Sequence, residues 1–245
     1  MDQALPDLRG FTIAFDLDGT LVDTAPDLIG ALNAVLAEQV LAPVPLAAAR
    51  HLVGRGARKL IERGFADAGA LLDEVDVPPL VTRFLAVYRS RIVQDSKVFP
   101  GVAEALDALA LAGARLCVCT NKPTDLALLV LDALGLTRRF SAVVGPGDAP
   151  AAKPDPRHYL ATIEAAGGVP ERSLMVGDSA ADVDAAHAAG APVVVVGFGY
   201  TETPAADLGG DALIEHYAEL PAAVAMLLGP ARLRAVRPSA IGGRS

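Results

Sequence analysis

Short apolar segments that alternate with helical patterns constrain the fold of this 245-residue chain most strongly. The segments are rich in β-branched residues and show no polar alternation, which is typical of strands buried on both faces of a parallel sheet. Helical patterns separate the later ones, and several end at a glycine suited to a helix C-terminus. The sequence therefore predicts an α/β fold with a doubly wound, Rossmann-like parallel sheet. The predicted strands are 12–15, 116–120, 142–145, 174–177, 193–196 and a weaker 212–215; the helices between them are 102–112, 124–134, 156–166 and 180–189.

The interval between the first two predicted strands is too long for one crossover helix. It contains further helical patterns at 28–38, 46–52, 57–68 and 79–92, and a helix start near Thr24, with a capping side chain and an early proline. We therefore expect an all-α cap at residues 24–96, inserted into a catalytic core of residues 1–23 and 97–230. Residues 231–245 are predicted to be a loose tail.

Charge and hydropathy exclude several classes of function. The net charge is −8, and the predicted cap carries 8 basic and 8 acidic residues, so the core holds the excess of acid. An acidic core argues against a nucleic-acid partner. The most continuous apolar stretch, 192–200, is far shorter than the roughly 20 residues that span a bilayer, and the N-terminus lacks the pattern of a secretory signal. Two cysteines, Cys117 and Cys119, are predicted to be buried thiols, which favours a cytoplasmic location.

Carboxylates occur at the ends of two predicted strands. Asp16 and Asp18 follow the first strand, and Gly19 allows a tight turn there. Two carboxylates 4 Å apart repel by about 4 kcal/mol at an effective dielectric of 20, so a cation, a shared proton or hydrogen-bond partners must relieve them. Asp178 ends another strand, and Asp182 lies one helical turn later. A surface turn for the first pair and helix capping for the second remain open at this point.

Polar residues also end the second strand and begin a later helix. Thr120 and Asn121 stand where a hydroxyl and backbone N–H groups can hold a phosphate oxygen. Lys153 precedes a helix and offers a positive charge to nearby carboxylates or to an anionic phosphate. His158 follows it, but the four histidines have no motif spacing and are expected to be structural or exposed.

The ordered set of these motifs resembles the haloacid dehalogenase-like superfamily, specifically its phosphatases with a helical cap, over about residues 11–228. The resemblance implies that Asp16 is a nucleophile that forms an aspartyl phosphate. It implies that Asp18 protonates the leaving oxygen, deprotonates the hydrolytic water and binds Mg²⁺ through its backbone carbonyl. Thr20 is a residue commonly associated with the phosphatases, and we expect it at the substrate.

The resemblance also assigns the remaining motif residues. Thr120 and Asn121 would hold the transferring phosphoryl group, and Lys153 would neutralise charge on nucleophile and phosphate. Asp178 would complete the magnesium site with Asp16, while Asp182 would lie in its outer shell. Carboxylate, carbonyl and phosphate oxygens are the ligands that Mg²⁺ prefers.

The substrate prediction comes from the cap. Residues 53–57 and 198–201 are similar to segments of phosphoglycolate phosphatases, which implies 2-phosphoglycolate as the substrate. Arg55 or Arg58 is a candidate contact for its carboxylate, although Arg58 also fits a plain solvated helix face. Other small metabolites, including sugar phosphates and pyrophosphate, remain alternatives, as do a β-phosphoglucomutase-like mutase and a catalytically silent binding module. The sequence predicts nothing about the oligomeric state.

Overall fold

A six-stranded parallel sheet forms the centre of the molecule, for which a computed structural model describes residues 5–49, 52–54 and 56–228. The strands run in the order β5-β4-β1-β6-β7-β8, and a separate antiparallel pair is formed by β2 and β3. The strand bounds are β1 Thr12–Phe15, β2 Val22–Asp23, β3 Lys97–Val98, β4 Arg115–Cys119, β5 Ala142–Val144, β6 Ser173–Gly177, β7 Val193–Val196 and β8 Ala212–Ile214.

Helices cover both faces of this sheet and form the insertion. Their bounds are α1 Ala25–Glu38, α2 Leu46–Ala49, α3 Ala57–Asp67, α4 Val77–Ser90, α5 Val102–Leu111, α6 Thr124–Ala133, α7 Pro156–Ala165, α8 Ala180–Ala188 and α9 Leu220–Leu228. Successive strand residues point to opposite faces: Ile13 and Phe15 pack with α5, α6 and α9, whereas Ala14 packs with α7 and α8. The predicted doubly wound fold is confirmed, and all six predicted strands occur within one residue of their expected bounds.

The side of the sheet to which the chain adds strands changes at β1. From β1 it continues to β4 and β5 on one side, and then crosses back to β6, β7 and β8 on the other. In open α/β sheets, ligands bind at such a switch point, outside the carboxyl ends of the strands. The topology therefore predicts a ligand site at the residues that follow β1, β4 and β6.

Helices α1, α3 and α4 pack together in the insertion. Their shared core contains Ile29, Leu32, Phe65 and Phe84, and α1 contacts both α3 and α4. The pair β2 and β3 lies where the chain leaves the sheet and returns to it, and Val22 faces Val98 across the two strands. This pair is absent from the predicted elements, because two-residue strands are too short to show a period of two.

Helix α9 was also missed. Leu220, Val224 and Leu228 are buried at a spacing of four residues, a pattern that predicts one apolar face of a helix. The stretch contains no polar side chain, so it lacks the contrast between an apolar and a polar face that marks a surface helix in a sequence. The predicted tail at 231–245 lies outside the described residues.

The two cysteines are free and buried, as predicted. Burial raises the pKa of Cys119 to about 11, so this thiol stays protonated at neutral pH. Among the described residues, no helix has the length and hydropathy needed to cross a membrane.

Candidate active site

Three buried carboxylates meet at the predicted edge of the sheet. Asp16 follows β1, Asp178 follows β6, and Asp182 lies in the first turn of α8; each offers an oxygen within 4.8 Å of the others. Burial raises the pKa of Asp16 to about 7, with Asp182 and Asp18 adding to the effect against the influence of Lys153. Burial likewise raises the pKa of Asp178 well above its usual value, and Asp182 and Asp16 add to it. These carboxylates therefore repel one another, and the protein alone does not fully compensate their charge.

Lys153 is the cation at the centre of this cluster. Its Nζ atom lies 3.1 Å from Asp16 Oδ1 and 2.6 Å from Asp182 Oδ1, and it donates to the carbonyl of Cys119 at 2.6 Å. Burial opposes its charge, but Asp16 and Asp182 outweigh burial and raise the pKa of Lys153 above its usual value. The ammonium is thus held charged beside Asp16.

Asp182 is already engaged through both of its carboxylate oxygens. Oδ1 pairs with Lys153, while Oδ2 accepts hydrogen bonds from the backbone N–H and the hydroxyl of Ser179, at 3.1 and 2.7 Å. The same carboxylate therefore caps α8 and orients the lysine. This arrangement fits the outer-shell role predicted for Asp182 better than direct metal ligation.

Thr20 lies beside the carboxylate cluster. Its buried hydroxyl donates to Asp178 Oδ1 at 3.2 Å, so it orients that carboxylate, and its contact with the substrate stays a prediction. The orientation of Thr20 follows from the turn at Gly19, where φ is +81° and an added Cβ would collide with the carboxylate of Asp178. The tight turn that the glycine predicted is confirmed, and it directs Thr20 inward.

Thr120 and Asn121 follow β4 and line the cavity beside Asp16. The side-chain amide of Asn121 binds the backbone of Lys153. Its Nδ2 donates to the Lys153 carbonyl at 3.1 Å, and its Oδ1 accepts from the Lys153 N–H at 3.0 Å. The side chain of Asn121 therefore positions Lys153. The hydroxyl of Thr120 accepts from the backbone N–H of Lys122 at 3.2 Å, which leaves its proton for another acceptor.

Asp18 has two partners that sequence reasoning did not assign. Its Oδ1 accepts from the hydroxyl of Thr24 at 2.6 Å and lies 3.0 Å from Lys122 Nζ. Lys122 also donates to the hydroxyl of Tyr88 at 3.1 Å. Burial opposes its charge, but Asp18 and Tyr88 outweigh it and raise the pKa of Lys122. The only sequence signal was the position of Lys122 directly after Thr120 and Asn121.

A small cavity lies between the sheet edge and the inserted helices. Asp16, Asp18, Thr120 and Lys122 line its sheet side. Its other walls are largely apolar, and its remaining lining residues are Leu28, Leu52, Val53, Gly54, Gly56, Ala57, Leu60, Phe84, Leu85, Tyr88, Asn121, Pro123 and Leu126. This lining, with Lys122 and Thr120 beside two carboxylates, suits a small anionic ligand that binds together with a cation.

Arg58, one of the two arginines of the sequence hypothesis, is not among the residues that line this cavity. Arg58 is exposed and pairs with Glu62 at 2.7 Å and with Glu74 at 2.5 Å, which fits a solvated helix face. The structure therefore does not bring Arg58 to the site. Arg55 lies outside the described residues.

The sequence matches one family over most of its length. Residues 12–190 match the family model described as haloacid dehalogenase-like hydrolase. The chain belongs to this family. A Caulobacter vibrioides protein named phosphoglycolate phosphatase is 55% identical over 224 residues, which cover 91% of this chain and 94% of that protein. A protein of the same name from Agrobacterium fabrum is 49% identical and covers 84% and 88%.

A solved structure shows the same architecture. The crystal structure described as a predicted phosphoglycolate phosphatase from Haemophilus somnus superposes with a TM-score of 0.80 at 31% identity. The match covers 89% of this chain and 98% of that one. The haloacid dehalogenase-like assignment thus agrees in sequence and in fold.

In this haloacid dehalogenase-like hydrolase, Tyr200 connects the carboxylate cluster to the start of the insertion. Its N–H donates to Asp178 Oδ2 at 2.7 Å. Its hydroxyl donates to Asp23 Oδ1 at 2.5 Å and accepts from the N–H of Ala25 at 3.0 Å. One residue therefore links the chain at Asp23, through its hydroxyl, to Asp178, through its backbone N–H.

His158 is structural, as expected. Its Nδ1 accepts from the N–H of Lys153 at 3.2 Å, and Nε2 lies 3.1 Å from the carbonyl of Val144, so the neutral ring with Nε2–H satisfies both contacts. Burial and the charge of Lys153 lower the pKa of His158 to about 4. The folded protein therefore binds fewer protons here than the unfolded chain between about pH 4 and the ordinary pKa of about 6.5.

Folding stability should consequently fall as the pH is lowered through that window. Replacing His158 by Gln is expected to reduce the loss of unfolding free energy between about pH 7 and pH 4 by roughly 3 kcal/mol relative to the wild type. Urea denaturation at several pH values measures this difference. Parallel pH profiles for the two proteins would contradict it.

Proposed function

We propose that this protein is a magnesium-dependent phosphatase that hydrolyses 2-phosphoglycolate to glycolate and phosphate through an aspartyl phosphate on Asp16. The observation that carries the proposal is the buried cluster of Asp16, Asp178 and Asp182 around Lys153, at the switch point of the sheet. The names of the Caulobacter vibrioides and Agrobacterium fabrum relatives support the substrate.

The carboxylates fit a divalent cation. Burial and mutual repulsion raise the pKa of both Asp16 and Asp178, and a cation between them would remove that repulsion. We propose that Asp16, Asp178 and the backbone carbonyl of Asp18 hold Mg²⁺, with Asp182 behind them. When bound, the ion would offset the negative charge of the site and polarise a phosphoryl oxygen.

Asp16 is the proposed nucleophile. Its contacts with Leu17 and Lys153 both fall on Oδ1, so Oδ2 is the atom available to attack phosphorus. The new bond joins Oδ2 to phosphorus while the bond from phosphorus to the ester oxygen breaks. Asp18 gives its proton to the departing oxygen, and then accepts a proton from the water that cleaves the acyl phosphate.

Lys153 and Thr120 are proposed to stabilise the transferred phosphoryl group. Lys153 lies beside Asp16 and remains charged, so it can contact the equatorial oxygens as negative charge shifts onto them. Thr120 offers its remaining hydroxyl proton from the end of β4. Neither group moves a proton in this scheme.

Residues 24–96 are proposed to act as a cap over a core of residues 1–23 and 97–230. Two ion pairs join the two parts: Arg63 of α3 with Glu202, and Arg89 of α4 with Asp125 of α6. A closed cap excludes water from the acyl phosphate and limits the size of the substrate. We place the reaction in the cytoplasm, which the buried free thiols support.

Initial rates of phosphate release test the proposal. Purified protein with Mg²⁺ is assayed on 2-phosphoglycolate, glucose 6-phosphate, ribose 5-phosphate and pyrophosphate. The expected kcat/KM for 2-phosphoglycolate exceeds the others about a hundredfold, a discrimination of about 2.7 kcal/mol. Faster hydrolysis of a sugar phosphate or of pyrophosphate would support the mechanism with a different substrate. Isomerisation of a sugar phosphate would indicate a mutase. No phosphate release from any compound would indicate a binding module.

Metal binding has a readout that does not depend on turnover. Mg²⁺ at about 100 times its Kd should raise the unfolding free energy by about 2.7 kcal/mol, and therefore raise the Tm. Replacing Asp178 by Asn should remove most of this shift. Replacing Asp184, an exposed acid on the same helix as Asp182, should leave it unchanged. An equal Mg²⁺-induced shift in Asp178→Asn would contradict the metal site.

A further inference from the structure

Lys122 is a buried cation that the proposed chemistry does not use. Its side chain is 4% exposed, and its Nζ lies 3.0 Å from Asp18 Oδ1 and 3.1 Å from the hydroxyl of Tyr88. The ammonium also lies 4.3 Å from the centre of the Tyr88 ring. A charged group in such a place is expected to have a binding or structural purpose, because its removal from water is costly.

Both groups keep a donor for a ligand. An ammonium has three N–H donors, and Asp18 and Tyr88 account for two of those on Lys122. The Tyr88 hydroxyl accepts from Lys122, so its own proton remains to be donated. Among the cavity-lining residues that the structure describes, Lys122 is the only cation. An anionic group that enters this cavity can therefore meet a cationic donor and a hydroxyl donor side by side, where the polar sheet side joins the apolar walls.

The position of Lys122 relative to the reacting atoms is informative. Asp18 faces the leaving oxygen in the proposed reaction, and Lys122 contacts Asp18. Lys153 contacts Asp16 and Asp182 instead. Lys122 thus pairs with the acid proposed to protonate the leaving group, and Lys153 pairs with the proposed nucleophile. A substituent next to the leaving oxygen would therefore lie on the same side of the site as Lys122.

We propose that Lys122, with the hydroxyl of Tyr88, is a specificity-determining pair that binds the carboxylate of a short α-phosphooxy acid. The proposal rests on the proposed function and names the residues that select its substrate. In such a substrate the carboxylate carbon is two bonds from the leaving oxygen, and Lys122 contacts Asp18, the acid proposed to protonate that oxygen. A charge-assisted pair in a small apolar cavity discriminates strongly against an ester that lacks the anion.

Two substrates separate recognition from chemistry. 2-Phosphoglycolate and ethyl phosphate have the same chain length and the same reacting group, but only the first carries a carboxylate. Lys122→Met keeps the length of the side chain and removes its charge, and Tyr88→Phe removes one oxygen atom. Lys59→Met is the matched control, because Lys59 is an exposed lysine that pairs with Glu62 on α3.

We expect Lys122→Met to lower kcat/KM about a hundredfold more for 2-phosphoglycolate than for ethyl phosphate. Loss of the partner of Asp18 affects both esters, whereas loss of the carboxylate contact affects only the first. Tyr88→Phe should lower the preference for 2-phosphoglycolate about fivefold. The inhibition constant of glycolate should rise in both variants, whereas that of inorganic phosphate should not. Lys59→Met should match the wild type in every assay.

The outcomes distinguish this proposal from the proposed function. If the wild-type enzyme does not prefer 2-phosphoglycolate over ethyl phosphate, the substrate assignment and this proposal are both wrong. If Lys122→Met keeps the wild-type preference, or loses kcat/KM equally for both esters, only the role of Lys122 is wrong. If Lys122→Met does not fold by circular dichroism, Tyr88→Phe decides, and an unchanged preference in that variant overturns the proposal.

Discussion

Replacing Asp16 by Asn is expected to abolish phosphate release while leaving the fold intact. The amide keeps the size and shape of the carboxylate but cannot form an acyl phosphate, so kcat should fall by at least about 10⁴-fold. The structure predicts an unusual companion effect. Because burial and neighbouring carboxylates raise the pKa of Asp16, loss of its charge relieves repulsion within the cluster. The Tm without Mg²⁺ should therefore stay the same or rise.

Two assays check this prediction together. Phosphate release gives the loss of kcat, and thermal unfolding in the presence of a chelator gives the change in stability. Asp184→Asn is the matched control, since it makes the same substitution at an exposed acid of α8, and it should change neither quantity. Turnover that persists in Asp16→Asn would contradict the nucleophile assignment, and a strongly lowered Tm would contradict the electrostatic account.

Replacing Lys153 by Ala is expected to reduce both activity and stability. Asp16 and Asp182 would lose their buried cationic partner, and breaking a buried ion pair from one side costs about 3–5 kcal/mol. Loss of an electrostatic donor at the transferring group should also lower kcat by about a thousandfold. The two losses share one cause, namely uncompensated negative charge at the switch point.

Urea unfolding in the presence of a chelator measures the stability change without help from Mg²⁺. Lys59→Ala removes an exposed lysine whose partner is Glu62, and its unfolding free energy should change by less than about 0.5 kcal/mol. Lys153→Ala with stability equal to that of Lys59→Ala would show that the carboxylates do not depend on this lysine.

The sequence predicted the sheet and the meeting of its strand-end carboxylates, for a physical reason. Strands buried on both faces, such as 193–196, are continuously apolar and need no distant information to be found. Once the strands are known, the parallel topology brings Asp16 and Asp178 to the same edge. Their proximity in the structure follows from strand order and not from any property of the single residues.

Residues whose orientation depends on distant contacts could not be predicted. The direction of Thr20 is set by the turn at Gly19 and by Asp178, which lies far away in sequence. Lys122 and Tyr88 meet only because α4 folds back over the end of β4. Arg58 was a candidate substrate contact from sequence, but its pairing with Glu74 depends on the path of the loop that follows α3.

Covalent trapping tests the central claim most directly. The protein is mixed with Mg²⁺ and phosphoryl-labelled 2-phosphoglycolate in a single turnover, quenched in acid, digested and mapped by mass spectrometry. We expect label on the peptide that contains Asp16 and conversion of that residue to homoserine by borohydride, as an acyl phosphate requires. Asp16→Asn should carry no label. Label on another residue, or turnover of labelled substrate without any labelled protein, would contradict the proposed mechanism.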